Sequence, residues 1–173
     1  MLAFFEFLYL LVPPIVAVLA LERRRRRGEI VTREAVIERF LFWYLVLAVG
    51  VAGVLDGLSQ MFDGEETAEL NEWTNSQFVI ELGMMNFAFG LLGLACIKAR
   101  GSWRYAAGIG YAIFLLLAAY YHLHDWIAND NDSDGNTGPS LWADIAVALA
   151  LIALCWLDSR ARRDPAASAA GSR

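Results

Sequence analysis

Every lysine and arginine in this chain falls in one of three stretches, Arg23–Arg39, Lys98–Arg104 and Arg160–Arg173, and these stretches alternate with long apolar runs. A membrane-spanning helix needs roughly 20 mostly apolar residues. Five runs meet that length or approach it: Leu2–Leu21, Phe40–Leu58, Phe78–Ile97, Tyr105–Leu123 and Leu141–Leu157. Translocation disfavours carrying Lys and Arg across a bilayer, so basic connectors mark the cytoplasmic side. An odd number of spans, N-terminus out and C-terminus in, places all fourteen basic residues on that side. Removing any one run would strand a basic cluster on the other side.

The expected fold is therefore all-α: an integral membrane bundle of five transmembrane helices, one domain over 1–158, with a disordered cytoplasmic tail over 159–173. The expected location is a bacterial inner membrane. The 58% hydrophobic content exceeds that of a soluble domain, which is about 45–50%. The first run is not a signal peptide by pattern, because no basic residue precedes it and "RRRRR" (Arg23–Arg27) follows it. The net charge of −5 hides a strong asymmetry, since Asp63, Glu65, Glu66, Glu69, Glu72, Asp125, Asp130, Asp132 and Asp134 crowd the outer loops with no balancing cation. The inner arginines fix topology and also suit anionic lipid. No stacking aromatics are interleaved with them, which argues against nucleic acid as a partner. Cys96 and Cys155 lie near inner span ends, on the reducing side, where a structural disulfide is not expected.

Local patterns refine the picture. Pro13 and Pro14 predict a bend in the first span. "EIVTREAVIERF" (Glu29–Phe40) predicts a cytoplasmic extension of the second helix, with Thr32 as N-cap and Glu34 in the first turn. Glu65–Trp73 predicts a short outer helix. Trp73, Trp103, Trp126 and Trp142 fall at span ends, the usual interfacial belt.

The third span, "SQFVIELGMMNFAFGLLG" (Ser76–Gly93), holds most of the polar signal. At about 100° per residue, Gly83, Asn86, Gly90 and Gly93 share one face, where small side chains admit a neighbouring helix and Asn86 can bond across. That geometry predicts a central position for this helix. Glu81 lies about one turn inside the outer boundary, where a carboxyl needs a partner or a proton. Gln77, Glu81, Asn86, His122 and Asp144 are the candidate intramembrane polar cluster, with His124 and Asp125 nearby. A structural Glu81–His122 pair is the alternative to a working site. His122 and His124 point about 160° apart on a helix, so they do not ligate one metal together.

The loop "DNDSDGN" (Asp130–Asn136) matches the first half of an EF-hand calcium loop through Asp130, Asp132, Asp134 and Asn136, with Gly135 at the turn. The second half departs from it. Leu141 stands where the bidentate glutamate belongs, and Pro139 intervenes. A weak outer calcium site and a solvated Asn/Asp/Gly turn are both open readings.

The residues Ser76, Gln77, Glu81, Asn86, Gly90, Gly93, His122 and "NTGP" (Asn136–Pro139) carry a resemblance. They are similar to an uncharacterised bacterial family of small polytopic membrane proteins, a domain of unknown function. Its pattern is E-x4-N-x3-G-x2-G in one span and a His ending the next. The resemblance covers roughly Ser76 to Leu157, and Gln77 preceding Phe78 departs from the family's Phe-Gln order. It implies a membrane fold, flags Glu81, Asn86 and His122, and supplies no reaction.

No nucleophile–base pair, redox motif or full ligand set is visible, which favours a non-catalytic accessory or structural membrane component. A proton-linked or small-solute transporter using Glu81 and His122 is the first alternative. An outer-side membrane enzyme or metal site is the second. Expected partners are the lipid bilayer and either another membrane protein or further copies of the chain.

Overall fold

A computed structural model describes residues 2–73 and 76–163 of the chain. These residues are helical nearly throughout, and none is in a β-strand. The first helix, α1 (Leu2–Arg26), contains Pro13 and Pro14 without ending at them. Then α2 (Arg33–Trp43), a π-helical segment (Tyr44–Val51) and α3 (Ala52–Phe62) follow without a break, as one long rod. Thr32 caps α2, its side chain accepting from the Ala35 amide at 3.3 Å, with Glu34 in the first turn. A short α4 (Gly64–Leu70) leads to α5 (Ser76–Ala95), α6 (Ser102–Asn129), the single turn α7 (Asp134–Thr137) and α8 (Pro139–Arg163). Pro139 starts α8, where its missing N–H costs nothing. That helix runs past Leu157 to Arg163, so the first part of the expected tail is helical. The remainder of that tail, 164–173, lies outside the described residues.

Four helical stretches among the described residues are long and apolar enough to cross a membrane: Arg33–Phe62, Gln77–Ala95, Ser102–Asn129 and Asp134–Arg163. The expectation that the third span is central is corrected here. The apolar stretch of the α2–α3 rod is 56% buried, against 28% for α5. The core explains why. Leu41, Leu45, Ala48 and Val49 of the rod pack with Ala107, Tyr111 and Leu115 of α6 and Val147, Ala148 and Leu151 of α8.

The glycine face of α5 does meet a partner, and that partner is also glycine. A Cβ on Gly93 would fall 2.5 Å from the Gly50 amide nitrogen; one on Gly90 would fall 2.5 Å from that of Val54, and one on Gly57 would fall 2.7 Å from the Gly83 oxygen. No side-chain carbon tolerates such distances. Within this seam Asn86 Nδ2 donates to Gln60 Oε1 at 2.9 Å, closing two amides across the two helices. In lipid, where apolar surface gains little from leaving one oily phase for another, close packing and interhelical hydrogen bonds of this kind hold helices together.

The basic end is locked by Arg104. Its side chain is buried rather than solvated: Nη1 donates to Glu38 Oε1 at 2.6 Å, Nε to the Ala99 carbonyl at 3.2 Å and Nη2 to the Cys96 carbonyl at 3.3 Å. Its guanidinium also lies 5.1 Å from the Phe42 ring centroid. Beside it, Asp158 accepts from the Tyr105 hydroxyl at 2.6 Å and from Arg162 Nε at 2.7 Å. The thiols of Cys96 and Cys155 are free and buried in the core.

The seam generates a sharp test. Gly90→Ala is expected to lower the thermal midpoint of the detergent-solubilised protein, with an overpacking cost of about 1–3 kcal/mol. Gly110→Ala places its new carbon only against the edge of Phe89, at 3.3 Å. It is expected to leave the midpoint level or raise it, since alanine favours helix by about 0.5–1 kcal/mol. Equal losses in the two variants would reject the seam as the determinant.

Candidate functional site

The polar residues flagged by the sequence differ in burial, and the structure gives Asn86 and His122 separate partners. Gln77 and Glu81 are exposed, and Glu81 lies about 200° around α5 from Gly83. Asn86 is buried in the glycine seam with Gln60. His122 is buried toward the far end of α6, 8% exposed, within a network supplied by the segment between α6 and α8. Asp144 is half-buried near the start of α8. On the His122 side the ring is engaged by Asn136, and Glu81 is exposed.

The network around His122 is built by asparagines. Asn136, fully buried, donates from Nδ2 to the His122 carbonyl at 3.2 Å and to the Asn131 carbonyl at 2.8 Å. Those two bonds fix which end of the amide faces the ring: Asn136 Oδ1 lies 2.8 Å from His122 Nδ1. An amide oxygen only accepts, so the ring proton belongs on Nδ1 and Nε2 keeps its lone pair. The imidazole stacks on Trp73, centroids 5.6 Å apart. Trp73 is consequently part of a packed aromatic group with Phe78 and Tyr121 rather than a free interfacial ring.

Asn131 joins the α6–α7 segment to the end of α4. Its Nδ2 donates to the Asn71 carbonyl at 2.8 Å and to Asp125 Oδ2 at 2.7 Å, while its Oδ1 accepts from the Ser133 hydroxyl at 2.7 Å. Asp125 Oδ1 accepts in turn from Asn129 Nδ2 at 2.7 Å. The Trp73 indole N–H is buried beside this carboxylate without completing a hydrogen bond. Gly135, the glycine that suggested a calcium turn, serves close packing: a Cβ there would lie 2.5 Å from the Leu70 carbonyl oxygen of α4.

This arrangement bears on ligands. Asp130, Asp132 and Asp134 are exposed, whereas Asn136 is turned inward and spent on His122. A calcium ion on this loop would have the three aspartates and backbone carbonyls alone. Among the described residues, no group of three or more His, Cys, Asp or Glu side chains converges as a metal site.

A second polar group, in which Tyr9, Asp56 and Tyr111 are new beside Asp144, lies inside the bundle. Tyr9 of α1 donates its hydroxyl to Asp56 Oδ1 of α3 at 2.9 Å. Asp56, Asp144 and Tyr9 all come close enough to the buried Tyr111 to act on it electrostatically. The Tyr9–Asp56 bond ties α1 to α3, and the carboxyls of Asp56 and Asp144 on α3 and α8 both act on Tyr111 of α6. The signal was present in the sequence: Asp56 is the one acidic residue inside the run Phe40–Leu58, and intramembrane carboxyls are functional candidates.

An all-α bundle with four helical stretches long and apolar enough to cross a bilayer is compatible with a membrane protein. The chain belongs to the family of unknown function DUF6790, which matches residues 3–164. Neither a curated protein nor a solved structure matches it.

Asn136→Ala should strand the His122 ring N–H and two buried carbonyls, each at a cost of about 1–3 kcal/mol. The expected result is a clear drop in thermal midpoint, whereas Asp132→Asn on the exposed loop should leave the midpoint in place. If Asn136→Ala melted like the parent protein, the cap would carry no structural weight.

Proposed function

We propose that this chain is a five-span protein of a bacterial inner membrane, N-terminus out and C-terminus in, acting as a non-catalytic accessory or structural component. The observation that carries this reading is a set of buried polar side chains that bond from one element to another. Asn86 is spent on Gln60, His122 on Asn136, Asn131 on Asp125, Arg104 on Glu38 and Asp158 on Tyr105. Each of these bonds ties one helix or loop to another, and none leaves an aligned nucleophile and base. The arginine distribution supports the orientation, and the 25-residue helix α1 supports the fifth crossing. Its partners are the surrounding lipid and either a second membrane protein or further copies of itself.

One observation favours a second reading. Proton-linked transport through Glu81 and His122 loses support, because Glu81 is exposed and His122 is closed against Asn136. The same chemistry finds better ground at Asp56, which is bonded to Tyr9, and at Asp144, since both carboxyls act electrostatically on the buried Tyr111.

Reporter fusions at Arg25 and Asp132 are expected to report opposite compartments; the same compartment for both would reject the odd number of crossings. In proteoliposomes under an imposed pH gradient, the accessory reading expects proton flux no greater than in empty vesicles. Flux abolished by both Asp56→Asn and Asp144→Asn, in variants that still fold, would establish the transport reading instead.

A further inference from the structure

At the basic end of the bundle, where α5 gives way to α6, a groove of about 430 Å³ is lined by Leu94, Ala95, Ile97, Lys98, Ala99 and Trp103. Its walls are almost wholly apolar, and Lys98 is the one charged group among them. Lys98 is exposed and enters no ion pair among the described residues, and the same holds for Arg100, one residue beyond the groove-lining Ala99. The groove is held in shape before anything enters it. Arg104 grips the carbonyls of Cys96 and Ala99, and the Trp103 indole donates to the Leu92 carbonyl at 3.4 Å, pinning the ring across the end of α5. Preformed walls lower the ordering cost of binding.

We propose that this groove holds one anionic phospholipid, its acyl chain along Leu94, Ala95, Ile97 and Trp103 and its phosphate against Lys98 and Arg100. The combination of features selects this occupant. A soluble anion would have no use for the apolar lining, and a neutral lipid would leave two adjacent cations uncompensated. Basic side chains near a bilayer surface attract anionic headgroups, and indole rings favour the same depth. This inference rests on the membrane reading above, which is checked separately by whether the protein needs detergent for extraction from the membrane fraction.

The test uses the full chain in nonionic detergent, titrated with phosphatidylglycerol or with phosphatidylcholine of the same chain length, and read by native mass spectrometry. Retention of a single phosphatidylglycerol is expected at concentrations where phosphatidylcholine is lost. Lys98→Gln with Arg100→Gln is expected to weaken that retention by about tenfold or more, the order anticipated for two cations near an anionic headgroup. Ile97→Trp fills the groove while keeping both charges, and it is expected to displace the lipid at an unchanged thermal midpoint. Replacing Arg23–Arg27 with glutamine should leave retention intact, and excess glycerol 3-phosphate should not compete. Equal retention of the two lipids overturns the proposal. So does retention that survives Ile97→Trp, or that disappears only with Arg23–Arg27.

Discussion

Two helices in this bundle touch backbone to backbone, and much of the outer architecture is referred to that contact. Gly50, Gly53 and Gly57 face Gly93, Gly90 and Gly83 in antiparallel order, so the rod and α5 are registered along their common length. Registration matters because it decides which polar groups can meet. Asn86 reaches Gln60 within the seam, and α4 is placed where the Asn71 carbonyl can receive Asn131. A bilayer offers no water to a misplaced amide, so a slip by one residue would leave several groups without partners.

The two ends of the molecule are closed by different chemistry. At the basic end, a buried guanidinium spans α6, the α5–α6 turn and Glu38 of α2, using charge-assisted bonds whose strength comes from limited solvent access. At the other end, neutral amides carry the load, with Asp125 the one carboxylate drawn into their network. Removing a partner from the Arg104–Glu38 pair would leave a charge buried alone, the costly case for ion pairs. Removing an asparagine would strand neutral groups at a lower cost per bond.

The outline of the fold was legible because apolar length and basic asymmetry are one-dimensional properties. The helices around Phe40–Leu58, Phe78–Ile97, Tyr105–Leu123 and Leu141–Leu157 are present; three extend beyond their apolar run at both ends, while α5 stops at Ala95, short of Ile97. The Thr32 cap was legible for the same reason, being local. Centrality was not: a glycine face announces a close contact without saying whether the helix has one neighbour or several, and α5 has its main one in the rod. Glu81, across α5 from the glycines, is exposed. Asn131 and Asn136 escaped because asparagine in a loop is ordinarily a turn former, and only three-dimensional closure reveals that these two are buried. Arg104 entered the sequence argument only as one of the basic connector residues, yet it belongs to the first turn of a long helix and is buried.

The π-helical segment Tyr44–Val51 sits midway along the rod, with Tyr44 reaching the Leu10 carbonyl at one end and Gly50 pressed against α5 at the other. Wide turns of this kind accommodate surplus chain inside an otherwise regular helix, and they recur at places with a special task. Here the surplus acts as an angular gearbox. It lets the half bearing Glu38 and Leu41 aim at α6 and α8, while the half bearing Gly53 and Gly57 aims at α5. A single uninterrupted spiral would force both halves to share one heading.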